Sequence, residues 1–196
     1  MAIDKLLNLL VMLYSQYKII LIATALSFFF SGPIIAEESS DMVGKKAAPL
    51  SLFKLSNNKY YRTKDIIGEK NIVISFFGTW CAPCRKEIPK LQEMSKELNK
   101  DAYEFLLICV SNIKPPGSTT AFKEEVPNIK KFIKKLGVDI EVLFDKYNVA
   151  WRKYADLNQG TFPLTVVINK KGEITYHHHG YEKGDEIKLK KHLKTL

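Results

Sequence analysis

Two almost continuously apolar stretches enclose an amphipathic one in the middle of the chain. Residues 71–78 (NIVISFFG) and 103–111 (YEFLLICVS) are rich in β-branched and aromatic side chains, which is typical of strands covered on both faces. Between them, apolar side chains recur at the spacing of one buried helical stripe: Ile88, Leu91, Met94 and Leu98. The order strand, helix, strand predicts a right-handed βαβ unit and hence a parallel pair of strands.

The flanking segments extend this unit into a larger sheet. Residues 48–66 contain two short segments around Asn57-Asn58, which predicts an N-terminal β-hairpin, and residues 164–180 predict a second antiparallel hairpin. The remaining periodic segments predict a brief strand at 140–144 and helices at 128–137, 145–154 and 182–196. We therefore predict an α/β domain with a mixed sheet and helices on both faces.

Punctuating residues suggest where these helices begin and end. Gly137 lies just after a predicted helix, at the position where glycine commonly ends a helix with left-handed backbone angles. The side chain of Asp145 can cap the start of the next helix. Residues 112–127 (NIKPPGSTTAFKEEVP) are rich in Pro, Gly, Ser and Thr, and we expect them to form an exposed loop.

The N-terminal region has the outline of an export signal. A lysine precedes an apolar core at residues 19–30, and small or helix-breaking residues follow it. We expect residues 1–36 to be a signal peptide or an N-terminal membrane anchor, residues 37–46 a linker and residues 47–196 the folded domain. The alternative is an N-terminal helix buried in a soluble fold. Export would place the domain in a compartment that permits disulfides.

The charge of the chain excludes few classes of binding partner. Its 196 residues carry a net charge of +9, but the lysines are spread along the whole sequence. No basic block has interleaved aromatic residues, so we expect no nucleic acid partner. Attraction to an anionic membrane or to an acidic partner is the alternative to a simply solvated basic surface.

Two of the three cysteines, Cys81 and Cys84, lie at the predicted junction between the first buried strand and its helix. Open α/β sheets form their active crevice at this edge, and the amides at the helix N-terminus would stabilise a thiolate on Cys81. Cys84 lies one turn further on, close enough to attack a mixed disulfide formed at Cys81. Pro83 suits an early helical position, where its missing N–H has no helical partner anyway.

Other uses of a CxxC pair fit the sequence less well. A zinc site needs four ligands, and the chain has no second CxxC and no His pair at ligand spacing. In a strand, the run His177-His178-His179 cannot bind one ion through all three rings, because successive side chains point to opposite faces. A disulfide across so short a loop constrains the unfolded chain little. We therefore predict thiol–disulfide exchange, with no metal and no cofactor.

Residues 79–91 (TWCAPCRKEIPKL) resemble the active-site segment of the thioredoxin superfamily, in particular its exported TlpA/ResA-like thiol–disulfide oxidoreductases. The later segments LFDKYNVAWRKY and GTFPLTVVINKKGEITYHHHGY resemble the helix, cis-proline loop and terminal hairpin of that branch. The resemblance covers residues 47–196. It implies a thioredoxin-like fold with an N-terminal β-hairpin extension.

The resemblance also implies roles for individual residues. Cys81 would attack the substrate and Cys84 would resolve the mixed disulfide, so that the two form a redox-active disulfide. Trp80 would border the site. Pro163 would be the cis-proline that faces the cysteines, and Phe162 before it would present its backbone to the bound substrate.

Two features concern proton transfer: an acidic residue on the predicted helix, and a position in the preceding strand at which the chain departs from cytosolic thioredoxins. Glu87 lies three residues after Cys84, on the same helical face, where the resembling branch has a partly buried glutamate that modulates cysteine protonation. The alternative is a solvated surface glutamate. Cytosolic thioredoxins carry a buried aspartate in the preceding strand, but the matching position here is Ser75. This departure favours the exported branch.

The third cysteine, Cys109, lies in the second apolar stretch. Buried apolar surroundings raise the pKa of a thiol and make it unreactive, so we expect Cys109 to fill the core. We also expect the sheet to separate it from the Cys81–Cys84 pair.

The resemblance implies that the partners are proteins with disulfides or thiols and a membrane electron donor. It places the protein on the periplasmic side of the inner membrane, either released or attached through the N-terminal segment. Reduction is the expected direction, with cytochrome c maturation as one setting. The alternatives are an oxidant or isomerase of the same fold, a peroxidase, and a non-enzymatic module that docks a partner through residues 128–137 and the preceding loop.

Overall fold

The structure is a computed structural model that describes residues 42–111, 121–155 and 160–196, with the backbone alone for residues 121–124. All of these residues belong to one unit, Ser39–Leu196. The predicted signal peptide or membrane anchor lies outside the described residues. Within the described part of the chain, no helix has the length and apolar character needed to cross a membrane.

The described residues form seven strands and four α-helices. The strands are β1 (Ser51–Lys54), β2 (Tyr60–Arg62), β3 (Asn71–Phe77), β4 (Tyr103–Val110), β5 (Glu141–Asp145), β6 (Leu164–Ile168) and β7 (Ile174–His179). The helices are α1 (Cys84–Glu97), α2 (Ala121–Leu136), α3 (Val149–Tyr154) and α4 (Asp185–Leu193). A 3-10 turn, Thr63–Asp65, follows β2.

These strands lie in one mixed sheet, in the order β2-β1-β5-β4-β3-β6-β7. Strands β3, β4 and β5 are parallel, and the other neighbouring pairs are antiparallel. The predicted βαβ unit is confirmed as β3-α1-β4, and the two predicted hairpins as β1-β2 and β6-β7. Asn58 takes the left-handed backbone conformation that the first of these turns requires, with φ of 59°.

The sheet carries a core on each face. Along β3, which is buried throughout, Val73 and Phe77 pack in the core beneath α1, α2 and α4. Ile74 and Phe76 point to the other face and pack beneath α3. Helices therefore cover both faces, as predicted, because each amphipathic helix buries one apolar stripe against the strands.

Helix α2 begins earlier than we predicted. Residues 121–127, which the sequence placed in an exposed loop, form its first turns, and Pro127 lies inside the helix. The rest of that predicted loop, residues 112–120, lies outside the described residues. The Ser111 hydroxyl donates to the Glu125 carboxylate, with oxygen distances of 2.8 and 3.0 Å, and so joins the start of α2 to the end of β4. Tertiary contact outweighs local propensity here.

The two predicted helix caps are confirmed only in part. Asp145 ends β5 and is not the N-cap residue of α3, which is Asn148, because the helix begins only at Val149. Its carboxylate nevertheless accepts the backbone N–H groups of Val149 and Trp151 at 2.9 and 2.8 Å and so satisfies the first turn of α3. Gly137 follows α2 with φ of 63°.

Residues 42–46, which the sequence placed in a linker, pair with the start of β7. The N–H of Gly44 donates to the carbonyl of Ile174 at 2.8 Å, and the N–H of Ile174 donates to the carbonyl of Lys45 at 2.9 Å. Lys46 forms a further bridge with Glu173. The folded part of the chain therefore begins before the predicted boundary at residue 47.

Candidate active site

Cys81 and Cys84 lie at the connection between the end of β3 and the start of α1, at the carboxyl edge of the parallel strands. They are joined by a disulfide, with Cα atoms 5.3 Å apart. The backbone N–H of Cys84, the first residue of α1, donates to the sulfur of Cys81 at 3.1 Å. An amide and a helix dipole directed at this sulfur would stabilise a thiolate on Cys81 once the disulfide is reduced. Cys81 is 5% exposed and Cys84 is fully buried, so Cys81 is the more accessible of the two cysteines.

The loop before the disulfide holds Trp80 against the backbone of Gly78. A Cβ atom on Gly78 would lie only 2.6 Å from the Trp80 indole, so only glycine allows the ring to lie there. Trp80 is 44% exposed, which makes it an apolar surface beside the nearly buried Cys81. Pro83 has helical backbone angles immediately before α1, as its predicted position requires. Gly78 was not singled out from the sequence.

The Phe162–Pro163 peptide bond is cis. The Phe162 ring stacks on Trp151 of α3, with centroids 4.1 Å apart, and meets Trp80 edge-on at 6.1 Å. A row of three aromatic side chains therefore connects α3, the proline loop and the disulfide loop. Sequence reasoning missed Trp151, although a tryptophan in a short amphipathic helix was a visible signal.

The last strand also holds the proline loop. His179 donates from Nδ1 to the carbonyl of Thr161 at 2.9 Å, and the N–H of Gly180 donates to the carbonyl of Pro163 at 2.7 Å. The other two histidines of the run turn elsewhere: His177 donates to the Tyr154 carbonyl, and His178 bonds the carboxylate of Asp185. The three rings have three different partners, and the described residues contain no cluster of His, Cys, Asp or Glu suited to a metal ion.

Glu87 of α1 is buried rather than solvated. It is 5% exposed, and its two carboxylate oxygens accept the hydroxyls of Thr165 at 2.6 Å and Ser75 at 2.7 Å. Burial raises the pKa of this carboxyl to about 7, although the two hydroxyl bonds act in the opposite direction, and the nearby charge of Asp185 raises it further. An acid that titrates near neutrality therefore lies one helical turn after Cys84. Thr165 was not predicted; a threonine inside an otherwise apolar strand was the available signal.

The third cysteine is not where we expected. Cys109 belongs to the same core as Cys81 and Cys84, so the prediction that the sheet separates it from the pair was wrong. The reason is register: Phe77 and Cys109 are partners in the parallel pair β3-β4, and both side chains point towards α1. Cys109 is a free thiol, and burial raises its pKa far above the ordinary value. Its role as a buried core residue is as predicted.

Comparison with known proteins extends these observations. Residues 43–177 match the AhpC/TSA family. The chain is 25% identical over 178 residues to the thiol-disulfide oxidoreductase ResA of Geobacillus thermodenitrificans, covering 91% of each chain. It is 29% identical over 147 residues to the thioredoxin-like protein YneN of Bacillus subtilis, covering 75% of this chain and 77% of that one.

Solved structures support the fold. The crystal structure of a putative thiol:disulfide interchange protein DsbE from Chlorobium tepidum superposes with a TM-score of 0.64 at 19% identity, covering 78% of this chain and 96% of that one. This likeness confirms the predicted thioredoxin-like fold, and the similarity to ResA confirms the resemblance to the TlpA/ResA-like branch.

Proposed function

The chain belongs to the AhpC/TSA family of thioredoxin-like proteins, and from this premise we propose that it is a thiol–disulfide oxidoreductase acting through Cys81 and Cys84. The observation that carries the proposal is the disulfide between them, with the first amide of α1 donating to the sulfur of Cys81. The relative from Geobacillus thermodenitrificans, aligned over nearly its whole length, bears the name of this activity. The substrates are disulfides or thiols of other proteins.

The reaction runs through a mixed disulfide. In the reduced protein, the Cys81 thiolate attacks one sulfur of a substrate disulfide, forming a new S–S bond while the substrate S–S bond breaks. The departing substrate sulfur takes up a proton. The Cys84 thiol then gives its proton to Glu87, and its thiolate attacks the sulfur of Cys81, so that the mixed disulfide breaks. The second substrate sulfur leaves as a thiolate and takes up a proton. The Cys81–Cys84 disulfide closes, and two electrons have passed to the substrate.

The exposure of the site residues supports these separate roles for Cys81 and Cys84. Cys81 has a small exposed area, whereas Cys84 has none, so Cys81 is the nucleophile and Cys84 the resolving thiol. Trp80, whose ring is nearly half exposed, offers an apolar surface next to Cys81 for the substrate chain. The backbone of Phe162, before the cis-proline Pro163, lines the other side of the docking site. Its ring contacts Trp80, which supports this placement.

The place and direction of the reaction are part of the proposal. We place the protein on the periplasmic side of the inner membrane, as a reductant, with cytochrome c maturation as one setting. Support comes from the apolar stretch at residues 19–30 and from the family resemblance. A reductant in an oxidising compartment needs electrons from a membrane partner. An oxidant or isomerase of the same fold is the alternative, which a measured reduction potential separates.

Trapping tests the exchange reaction. A Cys84→Ser variant forms the first mixed disulfide but cannot resolve it, so it should accumulate partner proteins on Cys81 in non-reducing gels. A Cys109→Ser variant is the matched control and should turn over like the wild type, because the Cys109 thiol is buried and unreactive. If Cys84→Ser captures nothing while the wild type remains active in cells, the protein acts as a binding module and the proposal fails.

The reduction potential of the pair tests the direction. A value near that of thioredoxin, about −270 mV, is expected for a reductant, whereas a value near about −120 mV indicates an oxidant. The latter result would overturn the reductive part of the proposal and leave the exchange chemistry intact.

A further inference from the structure

The carboxyl of Glu87 is held by a pair of hydroxyls that the sheet places side by side. Ser75 on β3 and Thr165 on β6 are direct partners in the antiparallel register. Cross-strand partners on one face have Cβ atoms about 5 Å apart, which suits the two oxygens of one carboxyl group. Ser75 donates to one oxygen at 2.7 Å and Thr165 to the other at 2.6 Å. Both hydroxyl residues are buried, so they do not exchange this partner for solvent.

Among the described residues, no cation contacts this carboxyl. The titratable side chains that line the small cavity beside it are Lys90 from α1, Tyr176 and His178 from β7, Tyr181 from the segment that follows, and Asp185 and Glu186 from α4. The Lys90 ammonium bonds Glu93, and His178 bonds Asp185. Two neutral hydroxyls are therefore the direct hydrogen-bond partners of a buried acid.

We propose that Ser75 and Thr165 are positioning residues that hold the Glu87 carboxyl ready to accept the proton of Cys84. The proposal rests on the exchange function proposed above and adds two residues to its proton path. A hydroxyl donates to a carboxylate and accepts from a carboxylic acid, so the hydroxyls of Ser75 and Thr165 can bond the carboxyl in both protonation states. Cys84 and Glu87 are one turn apart on the same face of α1, and both are buried. The S–H bond of Cys84 breaks as the O–H bond of Glu87 forms.

The test removes one hydroxyl at a time. Thr165→Val keeps the side-chain shape but loses the donor to the carboxylate, so the pKa of Glu87 should rise by about one unit. Thr165→Ser keeps the hydroxyl and should restore the wild-type value. Ser75→Ala removes the donor to the other oxygen and provides an independent variant. The pKa of Glu87 is read in the oxidised proteins by carbon-13 NMR of its carboxyl, assigned from a Glu87→Gln sample.

The second readout is the pH profile of the resolving step. Because the carboxylate form of Glu87 accepts the proton, resolution should speed up as pH rises through the Glu87 pKa. A rise of about one unit makes Thr165→Val about tenfold slower on the acid side and leaves the alkaline plateau unchanged. The rate is measured in a single turnover of the reduced protein with a disulfide-bonded peptide, followed by acid quench and thiol labelling.

The outcomes separate this proposal from the function on which it rests. If Thr165→Val and Ser75→Ala leave the pKa of Glu87 unchanged, the hydroxyls only fill a polar site and the positioning role is overturned. The same conclusion follows if they shift that pKa without moving the pH profile of the resolving step. If the wild type performs no exchange at all, the proposed function fails. In that case the NMR titration still reports whether the hydroxyls hold the carboxyl.

Discussion

Replacing the Glu87 carboxyl by an amide should make the oxidised protein more stable at alkaline pH and change it little at acid pH. The pKa of Glu87 is raised from its ordinary 4.5 to about 7 in the folded protein, chiefly by burial. Between these two values the unfolded chain has released its proton while the folded protein retains it, so stability falls as pH rises from about 4.5 to about 7 and stays low above. The shift corresponds to about 3 kcal/mol. Glutamine cannot ionise, and its amide can still bond both hydroxyls.

The assay is urea unfolding of the oxidised proteins at about pH 4.5 and about pH 8.5. The stability of Glu87→Gln relative to the wild type should increase by about 3 kcal/mol between the acid and the alkaline measurement. Glu93→Gln is the matched control: Glu93 is on the same helix but is exposed and bonded to Lys90, so its substitution should shift stability by less than about 1 kcal/mol at either pH. If Glu87→Gln and the wild type lose stability in parallel as pH rises, Glu87 is not the buried acid described here.

Two further predictions concern the aromatic side chains beside the disulfide. Gly78→Ala should push the Trp80 ring from its place and lower kcat/KM for protein disulfides several-fold, while the rate with a small disulfide stays near that of the wild type; equal losses for both would contradict a docking role for Trp80. Trp151→Leu removes the ring that stacks on Phe162 and should cost about 2 kcal/mol in urea unfolding together with a lower kcat/KM for protein disulfides. Unchanged kinetics in that variant would show that the stack does not position the proline loop.

Much of the fold was predictable because its signals are local. β3 and β4 are continuous apolar runs, and the stripe of α1 has helical periodicity, so each element could be placed without its neighbours. The start of α2 was missed for the opposite reason. Pro127 and the preceding polar residues read locally as a loop, and the bond between Ser111 and Glu125 that joins the helix to the sheet is not visible in local composition.

The candidate site likewise combines features that local sequence predicts with features that depend on strand pairing. Cys81 and Cys84 are three residues apart, so their partnership can be inferred from one short motif. Thr165 is 78 residues from Glu87, and only the pairing of β3 with β6 brings it opposite Ser75. The side of the sheet on which Cys109 lies likewise depends on the register between two parallel strands, and a one-residue shift would reverse it.

The position of Glu87 changes how proton transfer can be linked to the disulfide. In cytosolic thioredoxins the buried acid belongs to the strand; here the strand supplies Ser75, and the carboxyl that bonds it comes from α1. The acid is therefore on the same helix as Cys84, one turn away, and its separation from Cys84 is set by helix geometry instead of by packing between a helix and a sheet. The hydroxyls of β3 and β6 bond the two oxygens of that carboxyl and lower its pKa, against the larger effect of burial. A carboxyl at position 75 would lie against Glu87 and compete with it for one proton, so a small polar residue on the strand is what an acid on the helix requires.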